Sequence, residues 1–319
     1  MSEKYLVGGV NAAFIGVTDR QPHLDLYVGE LGWLVSDEGV LTAEQASTLW
    51  GPGIGEVAFT VLNAAGAQHG RLILLQVPAQ EAGPHPWQAD TGFIAINMYT
   101  RDIQVSHTEL SAAGQTWVTP PATWRVPLGE QIVTVTQGFL RAPESTDIVF
   151  VEPAAARGTA AWDAEPDRHY TELTSVVCHV PDFEAEAGFW GPKGLGLDSW
   201  YDVSFTDPGL DEMAKLPSGT VMRLAFLAGA TTARIEVTRM EDRTIGADLR
   251  ANQRTAQHVG HSGWLLEVHD LDAAVARAAE LGGTVRTGPH TGPEALFGGR
   301  PVAFLDTPNG LPVTFVQAP

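Results

Sequence analysis

One pattern occurs four times along the chain, and it limits the fold more than any other property. In its clearest copy, HSGWLLEVHDLDAAVARAAELGGTV (residues 261–285), Trp264, Leu265, Leu266 and Val268 form a short apolar run that predicts a buried strand. Leu271, Val275, Ala278 and Leu281 then recur at helical spacing. Asp270 or Asp272 stands where a side-chain oxygen caps the helix, and Gly282-Gly283 ends it. RPVAFLDTPNGLPVTFVQ follows, with Asn309-Gly310 between two apolar runs as a hairpin turn. The order is strand, helix and three strands.

The same order recurs upstream. FIAINMYTRDIQVSHTELSAAGQTWV starts at Phe93, and its Asp102 and Gly114 are spaced as Asp270 and Gly282 are; the strands after it end in TDIVFVEP. A third copy begins at TSVVCHVPD, with Asp182 before FEAEAGFWGPKGLG, and closes with ARIEVTRM. The first comprises VNAAFIGVTD, PHLDLYVGELG, WLVSDEG, EVAFTVL and GRLILLQVP. Between the second and third copies, AAARGTAAWDAEPDRHY (154–170) has no periodicity and reads as a linker. The expected organisation is therefore an N-terminal pair of modules over 1–153, a linker over 154–170 and a C-terminal pair over 171–319.

The charge narrows the choice of partners. With 38 acidic against 19 basic residues the chain carries −19, which repels phosphate backbones and anionic membranes. Neither nucleic acid nor a membrane is an expected partner. MSEKYLVGGV has no basic segment leading into an apolar core, and no apolar stretch approaches about 18 residues, so a cytoplasmic protein is expected. The single cysteine, Cys178, excludes an internal disulfide and reads as a small core side chain. GPGIGEVAF lacks phosphate-loop spacing, and no GxSxG elbow is present.

Four βαβββ modules, with VPD or VHD entering the helix and LGW or LGG leaving it, resemble the vicinal oxygen chelate superfamily of glyoxalase, bleomycin-resistance, epimerase and extradiol dioxygenase proteins. The resemblance implies an α+β fold in which paired modules curl mixed sheets into two cups, with a divalent metal in a cup of many members. The positions the resemblance assigns to metal ligands read Ala12, Ala95, Ser175 and Gly263 in the first strands and Ile73, Val149, Glu236 and Thr314 in the last. Only Glu236 is a usual ligand, whereas a divalent ion needs three or more. No cofactor is therefore favoured; Glu236 with His261 is the alternative set for a divalent metal.

Strand alternation sets Ser175, Val177 and His179 on one face and Gly263, Leu265 and Glu267 on the corresponding face of the fourth module. If modules three and four share a cup, His179 and Glu267 look into it together, with Glu236 and Arg234 arriving from a third strand. The N-terminal pair offers Ala12, Phe14, Ala95, Ile73 and Val149 with only Asn97 and Tyr99 as polar groups, which suggests a filled structural domain. A half-buried carboxylate near imidazole and guanidinium can be tuned for proton transfer near neutrality. The acid–base candidates are thus His179, Glu236 and Glu267. Arg234 or Arg223 would hold an oxyanion, and Ser175, Thr314 and Trp264 are the other candidate substrate contacts.

The expected activity is epimerisation, isomerisation or elimination on an oxygenated organic molecule. Two alternatives remain open: sequestration of an antibiotic-like compound without catalysis, and a metal-dependent dioxygenase or glyoxalase-type lyase. Each candidate also has a plainer reading: Glu236 as an ion pair with Arg234, His179 as a satisfied core histidine, Glu267 at a solvent edge. Nine tryptophans can anchor the core or line a ligand pocket, and segments 207–218 and 239–260 can fold as lids. Modules can pair within one chain or across two, so a homodimer is compatible with the pattern.

Overall fold

The computed structural model describes residues 6–128, 131–154, 158–231 and 233–319. Module one consists of β1 (Val7–Val17), α1 (Gln21–Leu24) continuing into a π-helical turn, β2 (Leu34–Leu41), α2 (Ala43–Trp50), β3 (Val57–Asn63) and β4 (Arg71–Gln76). Module two has β5 (Gly92–Thr100), α3 (Ile103–Ala112), β6 (Thr116–Trp117), β7 (Ala122–Leu128), β8 (Gln131–Ala142) and β9 (Thr146–Glu152). A short α4 (Ala160–Ala164) precedes module three: β10 (Tyr170–His179), α5 (Phe183–Trp190), β11 (Asp198–Phe205), α6 (Pro208–Met213), β12 (Met222–Ala228) and β13 (Arg234–Met240). Module four holds β14 (Gly260–Val268), α7 (Leu271–Glu280), β15 (Thr284–Thr291), α8 (Glu294–Phe297), β16 (Pro301–Asp306) and β17 (Pro312–Gln317). The recurring aspartate is the helix cap: Asp102, Asp182 and Asp270 each accept backbone N–H bonds from the first turn of α3, α5 and α7.

Two mixed sheets result, as expected for an α+β chain of such modules, but the pairing expected from sequence order is wrong. One sheet runs β15-β16-β17-β14-β1-β4-β3-β2 and the other β11-β12-β13-β10-β5-β9-β8-β6, with β7 on β8. Modules one and four therefore build one cup, and modules two and three the other. In every module the first strand lies parallel to the last, leaving its other edge open. That edge pairs antiparallel across modules, β1 with β14 and β5 with β10. All four first strands are buried on both faces along most of their length, so any two could pair. The connections 77–91, 153–169 and 241–259 are also of similar length, and chain reach does not select a partner.

The linker expected over 154–170 is also corrected, except for residues 155–157, which lie outside the described residues. In α4, Ala160 and Ala161 donate backbone N–H to the Glu172 carboxylate at 2.9 and 3.1 Å, and Trp162 is buried. Segment 239–260, expected as a lid, instead straps the two sheets together. Gln253 brackets the Phe93 backbone with both ends of its amide, at 2.7 Å each, and Arg250 reaches the Asn309 carbonyl at 2.7 Å.

The convex faces of the two sheets and the module helices share one core, which includes Ala13, Ile96, Val176, Cys178, Trp264 and Leu266. Residues 1–5, on which part of the N-terminal reading falls, lie outside the described residues. Among the described residues no helix is long and apolar enough to cross a membrane.

Candidate functional site

The two cups have different contents. In the cup of modules one and four, α2 and α8 bring Leu49, Trp50 and Phe297 onto Phe14, Ile73 and Leu265. The Trp50 ring meets Phe14 edge-on at 6.1 Å. In the cup of modules two and three, α6 adds Leu210 and Met213 to the apolar cluster without lining its hollow, and a cavity of about 290 Å³ remains. Its walls are aromatic and aliphatic, including Trp124, Trp200, Tyr201 and Phe226, and its floor carries Asn97, Ser175 and Glu236. This is the general character of a small-molecule pocket: apolar walls with a few converging polar groups.

Backbone register explains the floor. Ser175 of β10 lies opposite Asn97 of β5 and Arg234 of β13, and Val177 lies opposite Glu236. The Asn97 amide donates to Glu236 Oε2 at 2.8 Å, and the Ser175 hydroxyl approaches the same oxygen at 3.5 Å. No bond to Oε1 is found among the described residues. Glu236 keeps some surface, and that surface opens on the cavity rather than on bulk solvent. Burial pushes its pKa up to about 7, against the opposing pull of Arg234 and of the hydrogen bonds from Asn97 and Ser175. Arg234 donates to the Tyr99 hydroxyl at 2.5 Å and to the Thr174 carbonyl at 3.2 Å, with its guanidinium over Phe226 and Trp200 at 5.1 and 5.5 Å.

Three polar atoms around the cavity are buried without partners: Asn97 Oδ1, the Tyr201 hydroxyl and Trp124 Nε1. Burial, and then the charge of Glu236, raise the Tyr201 pKa, so it stays a donor. Leaving such groups unsatisfied costs about 1–3 kcal/mol each, so they call for a polar guest. A second hollow of about 300 Å³ shares Tyr99, Thr174 and Arg234 with the cavity, and the Arg234–Tyr99 pair stands between the two.

Of the residues singled out from sequence, Glu236, Arg234 and Ser175 meet at this cavity. Glu267 does not: it faces the other cup, where Arg300 holds it at 2.8 Å. Thr314 lies opposite Leu265 in that same cup. Trp264 is fully buried in the shared core. Arg223 sits on the outer face of β12, paired with Asp202 and Glu184 at 3.0 and 2.5 Å and stacked over Phe183. His179 shares the concave face with Glu236 but is not part of the cavity lining; its Nδ1 lies 3.3 Å from the Thr238 hydroxyl. Burial pulls its pKa down to about 4, while Asp90 raises and Arg239 lowers it, so it is neutral at pH 7. Asn97 and Tyr99, assigned from sequence to a filled N-terminal cup, belong to this floor.

The alternative metal pair also fails. A bulge between the Phe14–Gly263 and Ile15–His261 pairs breaks the two-residue alternation. His261 therefore turns to the convex side with Trp264, in the other sheet from Glu236. No group of three or more His, Cys, Asp or Glu with metal-binding geometry exists among the described residues. A floor with one carboxylate, one amide and one hydroxyl does not fit a divalent cation.

The fold is shared with solved structures of glyoxalase I and of a protein described as a dioxygenase. Glyoxalase I from Zea mays superposes with a TM-score of 0.64 over 97% of this chain and 92% of its own, at 15% identity. A Bacillus subtilis protein described as a "putative dioxygenase" superposes with a TM-score of 0.60 over 99% of this chain and 86% of its own, at 11% identity. At such identities the likeness establishes the fold alone. No family model and no curated protein matches the chain.

Proposed function

We propose that the chain is a small-molecule enzyme of the vicinal oxygen chelate type that moves a proton on an oxygenated organic substrate in the cup of modules two and three. The observation that carries this reading is one carboxylate, raised to about 7, on the floor of a cavity with mostly apolar walls. With Asn97 and Ser175 on Oε2, Oε1 is the oxygen free to take a proton from carbon beside a carbonyl. The electron pair left behind moves onto the carbonyl oxygen. There the Tyr201 hydroxyl and the Trp124 N–H, both without protein partners, would donate to the oxyanion.

In a hydroxyketone the α-hydroxyl passes its proton to the former carbonyl oxygen, and protonated Glu236 returns its proton on the same face to the former carbonyl carbon, so that the carbonyl moves to the neighbouring carbon. A single carboxylate suits such a 1,2-shift, and isomerisation is favoured over epimerisation, which needs a second acid opposite. Arg234, held by Tyr99 and Thr174, would orient a further oxygen of the substrate. The test is C–H exchange in D2O, read by NMR over a panel of small ketones and hydroxyketones. The wild type exchanges at least one of them, Glu236→Gln loses roughly 10²–10⁴-fold, and His179→Ala stays near wild type. Exchange surviving in Glu236→Gln would overturn the assignment. Tight binding without exchange would favour sequestration instead.

A further inference from the structure

A separate cleft of about 370 Å³ lies at the seam between the two sheets, walled by Pro84, Pro86, Leu249 and Val259. The polar residues around it are mostly committed elsewhere. Gln253 is held by the Phe93 backbone, Gln80 donates to the Gln257 carbonyl at 2.9 Å, and the Ser145 hydroxyl donates to the Gly83 carbonyl. The imidazoles of His258 and His261 are different, because Nδ1 of each is buried without a partner.

His261 is 3% exposed, its ring stacked on Phe93 at 4.6 Å. Its Nε2 accepts the indole N–H of Trp264 at 3.0 Å, so that nitrogen must carry the lone pair. The proton of the neutral ring then sits on Nδ1, and burial keeps the ring neutral, with a pKa near 3. The tautomer also rules out metal binding through Nδ1, which would push a proton onto Nε2 against another N–H. With one ring face covered by Phe93 and the Nε2 edge held by Trp264, Nδ1 is the unpaired donor of a ring that lines the cleft. Glu81 at the rim and the −19 charge of the chain disfavour an anion.

We infer that this seam cleft is a second ligand site, taking a small uncharged molecule whose carbonyl oxygen accepts the Nδ1–H bond of His261, with proline, leucine and valine side chains against its apolar body. Its test uses the full chain labelled with ¹⁵N-histidine, titrated with δ-valerolactam as the probe. The His261 Nδ1–H resonance should be present in the free protein and move downfield saturably. Val259→Trp, and independently Pro84→Trp at an exposed part of the wall, should weaken the titration at least tenfold, while Glu236→Gln leaves it unchanged. An unprotonated Nδ1, a shift that does not saturate, or one indifferent to both tryptophans would overturn the inference.

Discussion

The two cups are built on one backbone plan with different side chains at matching positions. Where β1 sets Ala12 opposite Leu265 and Arg71, β10 sets Ser175 opposite Asn97 and Arg234. Two residues on, Ile73 occupies the place of Glu236, and Glu267 that of Tyr99. The arginine is kept in both, but it faces Glu267 and Arg300 in one cup and donates to a tyrosine in the other. In one cup the charged groups pair with one another and α2 and α8 plug the space over Phe14, Ile73 and Leu265; in the other the space over the polar floor stays open. On the proposed function, the first cup serves stability and the second reactivity. A filled cup gains packing, whereas an open one carries unsatisfied groups that only a guest can pair.

Exchanging the two characters breaks this contrast in a graded way. The largest effect is the loss of C–H exchange in Glu236→Gln, with the fold retained. Next, Trp50→Ala in the filled cup should cost about 3–5 kcal/mol in denaturant unfolding, because nothing is placed to collapse into the space. Trp200→Ala, at a side chain 40% exposed on the open cup, should cost far less, and equal losses would deny that the cups differ.

A pH effect comes third. Glu236 is harder to ionise in the folded chain than in the unfolded one. The resulting penalty is absent below about pH 4.5, grows as pH rises and is complete above about 7, at a scale of a few kcal/mol. Glu236→Gln should therefore be more stable than wild type above pH 7 and equal to it near pH 4. His179 and His261 act at the other end: being neutral in the fold, they remove stability as pH falls from 6.5 toward about 4 and 3. The smallest effect is Tyr201→Phe, which deletes an unpartnered hydroxyl; its unfolding midpoint should hold or rise slightly while ligand affinity falls.

The sequence carried the modules, their helix caps and most strand faces, because alternation and capping are local. Val176 and Cys178 lie on the core side and Val177 on the cup side, as the period of two requires. Module pairing was not legible: four first strands buried alike on both faces and three connections of similar length encode no choice of partner. That single ambiguity moved Glu267 into the wrong cup and kept Asn97 and Tyr99 out of the right one. His261 was lost for a second reason, since a bulge inverts the faces beyond it and leaves no mark in the run HSGW. The tryptophans divided both ways, with Trp124 and Trp200 on the cavity and Trp33, Trp190 and Trp264 in the core.

The central claim is that the open cup holds Glu236 poised between its two protonation states at neutrality. A ¹³C NMR titration of the glutamate side-chain carboxyls, with Glu236→Gln to assign the resonance, measures this directly. A midpoint near 7 is the predicted result, and one at the ordinary 4 to 5 of a solvated carboxylate would contradict it.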